Sequence, residues 1–209
     1  MKPALRRLHA ASAALIGLFI AVHMANHLVG LFGEQRHIAF MHAARTFYRL
    51  PLIELPLLLL FGWQAISGLT MVMRGWRGRT GAIAWAQALS GGYLAVFLLI
   101  HIAAVLSGRS SGIDTDVRFA GEGLGAGLAW FFIPYYGLAV TALATHLGCA
   151  LYWARGGREP RLVGGAVAAG AIFAALILMS LGGVFFPVHP HALQTASNAG
   201  PVDTASPAS

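Results

Sequence analysis

Five apolar runs, near 10–33, 51–73, 82–107, 126–154 and 162–187, constrain this chain more than any other feature. Each is long enough to cross about 30 Å of hydrocarbon at roughly 1.5 Å per helical residue. Glu54 is the only formal charge within them. In lipid a backbone must satisfy its own hydrogen bonds, so these runs predict an all-α polytopic membrane bundle of five transmembrane helices. With 57% hydrophobic and only 10% charged residues, a soluble fold is excluded.

All fourteen Lys and Arg therefore fall in loops and termini, where they report topology. Lys2, Arg6 and Arg7 precede the first run, Arg74, Arg77 and Arg79 follow the second, and Arg155, Arg158 and Arg161 follow the fourth. The opposite loops carry five basic residues, Arg36, Arg45, Arg49, Arg109 and Arg118, mixed with Glu34, Asp114, Asp116 and Glu122. Nine against five predicts a cytoplasmic N-terminus. A pI near 10.5 invites a nucleic-acid reading. The basic residues flank spans in threes, however, as orientation signals do, so no nucleic-acid partner is expected. The first run continues to Phe32 without a clear small-residue cleavage site, which predicts a retained span rather than a signal peptide. A lone cysteine, Cys149, excludes an internal disulfide framework and a four-thiolate metal or iron–sulfur site within the chain.

The loop from Glu34 to Leu50 places Ile38, Met41, Ala44 and Tyr48 on one helical face and His37, Arg45 and Arg49 elsewhere, predicting a helix in the outer interface. The inner loops, 74–81 and 154–161, are too short for a catalytic domain. Residues 1–189 are read as one transmembrane domain. Gly164, Gly165 and Gly170 give the fifth span a small-residue surface for close packing. The Ser, Thr, Ala and Pro composition after 190 predicts a disordered tail over 190–209.

Polar residues inside the spans carry the chemistry, because an intramembrane imidazole is costly unless paired, hydrogen-bonded or ligated. His23 lies in the first span, Gln64 in the second, His101 in the third and His146 in the fourth. Gln64 is ten residues before Arg74 and His146 nine before Arg155, so both lie roughly 14–15 Å from the inner boundary. His101 is eight before Arg109 and His23 ten before Gly33, roughly 12–15 Å from the outer one. Four residues chosen for polarity thus sort into an outer His/His level and an inner His/Gln level. Two axial imidazoles on facing helices suit a six-coordinate, low-spin haem iron. The outer level meets that requirement, whereas the inner one offers a single imidazole. Hydrogen bonding between helices is the alternative role for these side chains.

The order and spacing of RRLH at 6–9, GLFIAVH at 17–23 with NH at 26–27, LP at 50–51 before Glu54, WQAISGL at 63–69, His101 and THLGCALYW at 145–153 resemble a family. That family is the five-span cytochrome b membrane anchor of succinate dehydrogenases and fumarate reductases, and the resemblance runs from about Leu5 to Trp153. It implies a bacterial inner-membrane protein that binds haem b, reacts with quinone and passes electrons to or from cytoplasmic iron–sulfur and flavoprotein subunits. It would act in such an assembly without binding the dicarboxylate itself. The assembly itself is a candidate homo-oligomer. The resemblance assigns His23 and His101 as axial ligands of an outer haem iron, and His146 with the position of Gln64 to an inner one.

Gln64 departs from that pattern, which leaves three alternatives: one outer haem, a five-coordinate inner haem on His146, or an inner haem with an unusual second ligand. His27, one turn beyond His23, is an alternative outer ligand or a propionate or packing partner, and Asn26 is read as structural. Glu54 is read as a proton acceptor for quinol oxidation or as an N-terminal residue favoured by the helix dipole. Arg7 and His9 are read as lipid or quinone contacts at the inner face. His189 and His191 are too sparse for a metal site. A stand-alone membrane cytochrome and a haem-free structural anchor are the competing functions.

Overall fold

The computed structural model describes residues 3–125 and 127–189. Among them are seven α-helices and no strand: α1 Pro3–Val29, α2 Glu34–Tyr48, α3 Pro51–Arg74, α4 Ala82–Ser110, α5 Val117–Gly125, α6 Ala129–Ala154 and α7 Pro160–Leu181. Five of these, α1 with its 3-10 extension Gly30–Phe32, α3, α4, α6 and α7, are long and apolar enough to cross a membrane. The chain is a multi-pass helical membrane protein.

Local chemistry sets the helix ends. Pro51 and Pro160 open α3 and α7, where a missing N–H does no harm. Gly33, at φ 120°, turns the chain from the first span into α2, a backbone conformation that only glycine adopts without strain. The first span starts earlier than its apolar run, because Pro3–His9, with Arg6, Arg7 and His9, continue the helix by about two turns. The fifth ends at Leu181 rather than near 187, since Gly182 and Gly183 break it and Gly183 takes φ 76°. The fourth starts at Ala129 rather than 126.

Neighbours in sequence pack as neighbours in space: α1 on α3, α3 on α4, α4 on α6 and α6 on α7. The tightest seam is α6 with α7. A Cβ on Gly148 would lie 2.5 Å from the Ala166 Cβ, and one on Gly170 2.6 Å from the Ala144 Cβ, so these glycines allow close backbone approach. Gly164 and Gly165, expected to serve that purpose, face open space. Along the spans, Leu18, Leu59, Ile66 and Ile172 are exposed to the surroundings that lipid would fill. The buried set inside includes Ser12, Asn26, Ser67, Ser90, Thr145 and Ser180. Polar side chains thus turn inward, as bundles in lipid require.

The outer end carries a cap. Val117 of α5 clusters with Ile177 and Leu181 of α7, and Ile38 of α2 packs against them. The sequence pattern put His37 and Arg45 off the apolar face of α2, yet the helix buries Glu34, His37 and Arg45 together with Met41 of that face. Ion pairs make this burial favourable. Arg118 of α5 meets Glu34 at 2.7 Å and Asp116 at 3.7 Å. Arg45 reaches Asp114 and the Thr115 carbonyl. Residues 190–209, read as a disordered tail, and His191 with them lie outside the described residues.

Candidate haem-binding site

α1 and α4 bring His23 and His101 together in the outer half of the bundle. Their ring centroids are 6.1 Å apart with the planes at 64°. Each ring is braced by the phenylalanine one turn earlier on its own helix: Phe19 stacks on His23 at 5.9 Å and Phe97 on His101 at 5.3 Å. Positions i and i−4 share a helix face, so this bracing follows from the 3.6-residue repeat. Both histidines are half-buried, and neither makes a hydrogen bond among the described residues. Two half-buried imidazoles with no protein partner are poised for an external ligand.

The spacing tests that ligand. A metal held by two imidazole nitrogens at bonds of about 2 Å places the ring centroids roughly 6 Å apart, and His23 and His101 meet that distance. The helices that carry them pack against α3 rather than closely against each other, so side chains, not backbone, fill the space between. His23 and His101 therefore fit a bis-imidazole haem iron. No three His, Cys, Asp or Glu converge on a metal position among the described residues.

His27 lies at a centroid distance of 5.0 Å from His23 and 5.5 Å from His37, continuing the imidazoles outward. His37 is nearly fully buried on α2, and its Nδ1 has no partner among the described residues. Its pKa is lowered to about 4, by burial first, with Asp116 opposing and Arg45 assisting. The sequence pattern placed His37 off the apolar face of α2. The signal it lacked was the ion-pair network that favours burial beside that face.

The inner half is built differently. Ser12 donates to the Gln64 Oε1 at 2.7 Å. His9 Nδ1 and Ser67 Oγ share a hydrogen bond of 2.7 Å. His146 Nδ1 lies 3.1 Å from the Gln87 carbonyl and 3.4 Å from Ser90 Oγ, so α4, rather than Gln64, Ser67 or Thr145, satisfies it. Gly91 leaves room for that ring, since a Cβ there would come within 2.8 Å of the His146 Cε1. No hydrogen bond joins Gln64 to His146 among the described residues. The residues present do not fit a bis-imidazole haem at this level: the Gln64 amide oxygen is occupied, and an amide is a poor iron ligand.

Glu54, in the first turn of α3, is ion-paired with Arg109 at the end of α4. His189 donates its backbone N–H to Glu34 at 2.8 Å, while its ring nitrogen approaches the same oxygen at 3.1 Å. Burial pushes the Glu34 pKa up, but the His189 backbone N–H and Arg118 overrule it and leave it below the usual carboxylate value. Cys149 is fully buried beside the Ile83 carbonyl. Compared with protein-family models, curated proteins and solved structures, the chain finds no match.

Proposed function

We propose that the chain is a haem b-binding, quinone-reactive membrane anchor that passes electrons between membrane quinone and a cytoplasmic pair of flavoprotein and iron–sulfur subunits working on succinate and fumarate. The facing pair His23 and His101 carries this reading, supported by the resemblance over Leu5–Trp153. When bound, the haem supplies one-electron transfer without an open coordination position. His23 and His101 would hold its iron, Phe19 and Phe97 would fix their ring planes, and His27 would pack beside the site.

Glu54 lies at the outer end of α3, where its ion pair with Arg109 orients it. A carboxylate held there is suited to accept a proton from a quinol at the outer boundary. The short basic segments 74–81 and 154–161 offer the soluble subunits a flat cytoplasmic surface. The proposed location is the inner, cytoplasmic membrane of a bacterium, with the N-terminus inside.

A second reading, a stand-alone cytochrome b with another partner, draws on the inner half, where Gln64, bonded to Ser12, stands in place of a second imidazole. Purification from native membranes separates the two. The anchor should bring down two soluble subunits with succinate-linked quinone reduction, whereas the stand-alone cytochrome should purify with its haem and without them. A reduced-minus-oxidised spectrum should show one low-spin haem per chain. Protein of full helicity with no haem signal, after haem-replete expression, would return His23 and His101 to a packing role.

A further inference from the structure

Away from the histidines, the outer rim carries a pocket of about 320 Å³ where α2 and α4 end beside the loop at 112–114. Three guanidiniums, from Arg45, Arg49 and Arg109, converge on it. Two are compensated: Arg45 pairs with Asp114 and Arg109 with Glu54. Arg49 makes no side-chain hydrogen bond or ion pair among the described residues, although it is half-buried. Burial lowers its pKa, with Arg45 and Arg109 adding like-charge repulsion that Asp114 only partly offsets. The Nε of Arg45 is a second buried donor without a partner among the described residues. Three positive charges against two negative ones leave the pocket one anion short, and His42 adds a further charge when protonated.

We propose that this pocket binds the phosphodiester headgroup of an anionic membrane lipid, with Arg49 as the principal ligand. The surroundings choose lipid over a free anion. The pocket opens where the spans begin and end, one residue from Leu50 and beside the α3 N-terminus. Exposed apolar side chains lie next to it in the chain: Ile113 lines the pocket at 42% exposure, and Leu50 and Leu52, at 50% and 88%, follow Arg49. Acyl chains lying on those side chains would hold a phosphate at the level of the guanidiniums. An Arg fork satisfies phosphate oxygens bidentately, which restores the missing negative charge and the unmade hydrogen bonds together. The inference is independent of haem and of any electron-transfer partner.

The test uses the detergent-purified protein as it assembles in membranes, with native mass spectrometry reading bound lipid. Phosphatidylglycerol should be retained in preference to phosphatidylcholine. Arg49→Gln should weaken phosphatidylglycerol binding about fivefold or more, the effect of one basic residue at a membrane surface. Arg49→Lys should keep most of it. Because Arg49 makes no side-chain hydrogen bond or ion pair among the described residues, both variants should fold with unchanged helicity and haem content. Equal retention of the two lipids, or unaltered binding by Arg49→Gln, would overturn the proposal. Full displacement of the lipid by millimolar inorganic phosphate would make this a small-anion site instead. Loss of haem from Arg49→Gln with lipid binding intact would reassign the guanidinium to the cofactor.

Discussion

The outer and inner halves of the bundle hold similar numbers of intramembrane polar groups but settle them in opposite ways. In the inner half Gln64, His9 and His146 have each found a neighbour: Ser12 serves Gln64, Ser67 serves His9, and the Gln87 carbonyl with Ser90 serves His146. In the outer half His23 and His101 face each other at 6.1 Å with no hydrogen bond among the described residues. Burying a polar group without a partner costs free energy, so a set of satisfied groups reads as helix glue and an unsatisfied pair reads as a site. A histidine in a span is therefore informative only once its partners are known. His146 and His101 look alike in the sequence and differ in this respect.

The largest expected effect breaks the outer half. His101→Ala and His23→Ala should each abolish the low-spin haem, since either removes one axial imidazole, while the apolar spans still insert. His27→Ala should leave most of the haem in place. The reduced spectrum of membranes carrying each variant decides, and haem loss confined to the His27 variant would move the ligand role outward by one turn.

Gln64→His addresses the inner half. His146 is already oriented through Nδ1, as metal-ligating histidines commonly are, with its ring packed on Gly91. The substitution should raise haem toward a second equivalent per chain, measured by extraction and spin state. Unaltered haem content would establish that the Ser12, Gln64 and His9, Ser67 bonds close this level as packing.

A smaller effect concerns His37 in the outer cap. Its folded pKa of about 4 lies below the ordinary 6.5, so above pH 6.5 the residue is neutral whether or not the cap is folded. As the pH falls below 6.5 the unfolded chain takes up a proton that the folded cap refuses. Stability is then lost progressively until the pH passes about 4, by about 3 kcal/mol at most. Glu34 adds its own loss at lower pH: its depressed pKa gives stability that is present above 4.5 and lost as the pH falls through the folded value. Thermal unfolding of His37→Gln should slope less between pH 6.5 and 4.5 than that of the wild type. Parallel slopes for the two proteins would place the pH sensitivity elsewhere.

The smallest effect tests the glue. Ser67→Ala leaves His9 without its partner and should cost about 1 kcal/mol, in line with hydrogen bonds between membrane helices, with no change in haem. A haem change in this variant would couple the two halves and undo the contrast between them.

Much of the scaffold was legible in the sequence because hydrocarbon imposes one rule, an apolar run about as long as the bilayer is thick. The second helix was legible as a helix, but its inward face was not. Periodicity reports which residues share a face, and only the acidic partners Asp114, Asp116 and, through Arg118, Glu34 itself make burial of Glu34, His37 and Arg45 favourable. The α5 helix went unforeseen because nine residues carry too little pattern. For the site, depth arithmetic selected His23 and His101, and phenylalanine four residues before each was a further readable sign: His146 has Ala142 there and His9 has Leu5.

By itself the sequence determined that five helices cross a membrane, which residues are polar within them and how deep each lies, because rise per residue and the cost of charge in lipid do not depend on the fold. Only the tertiary structure decided which polar groups meet. In a membrane bundle the lipid-facing and interior surfaces are both apolar, so hydrophobicity cannot orient a helix about its axis. Rotation follows from helix contacts, such as the α6 and α7 glycine seam, and from pairs such as Arg109 with Glu54. Those contacts turn His146 onto the Gln87 carbonyl and leave His23 facing His101.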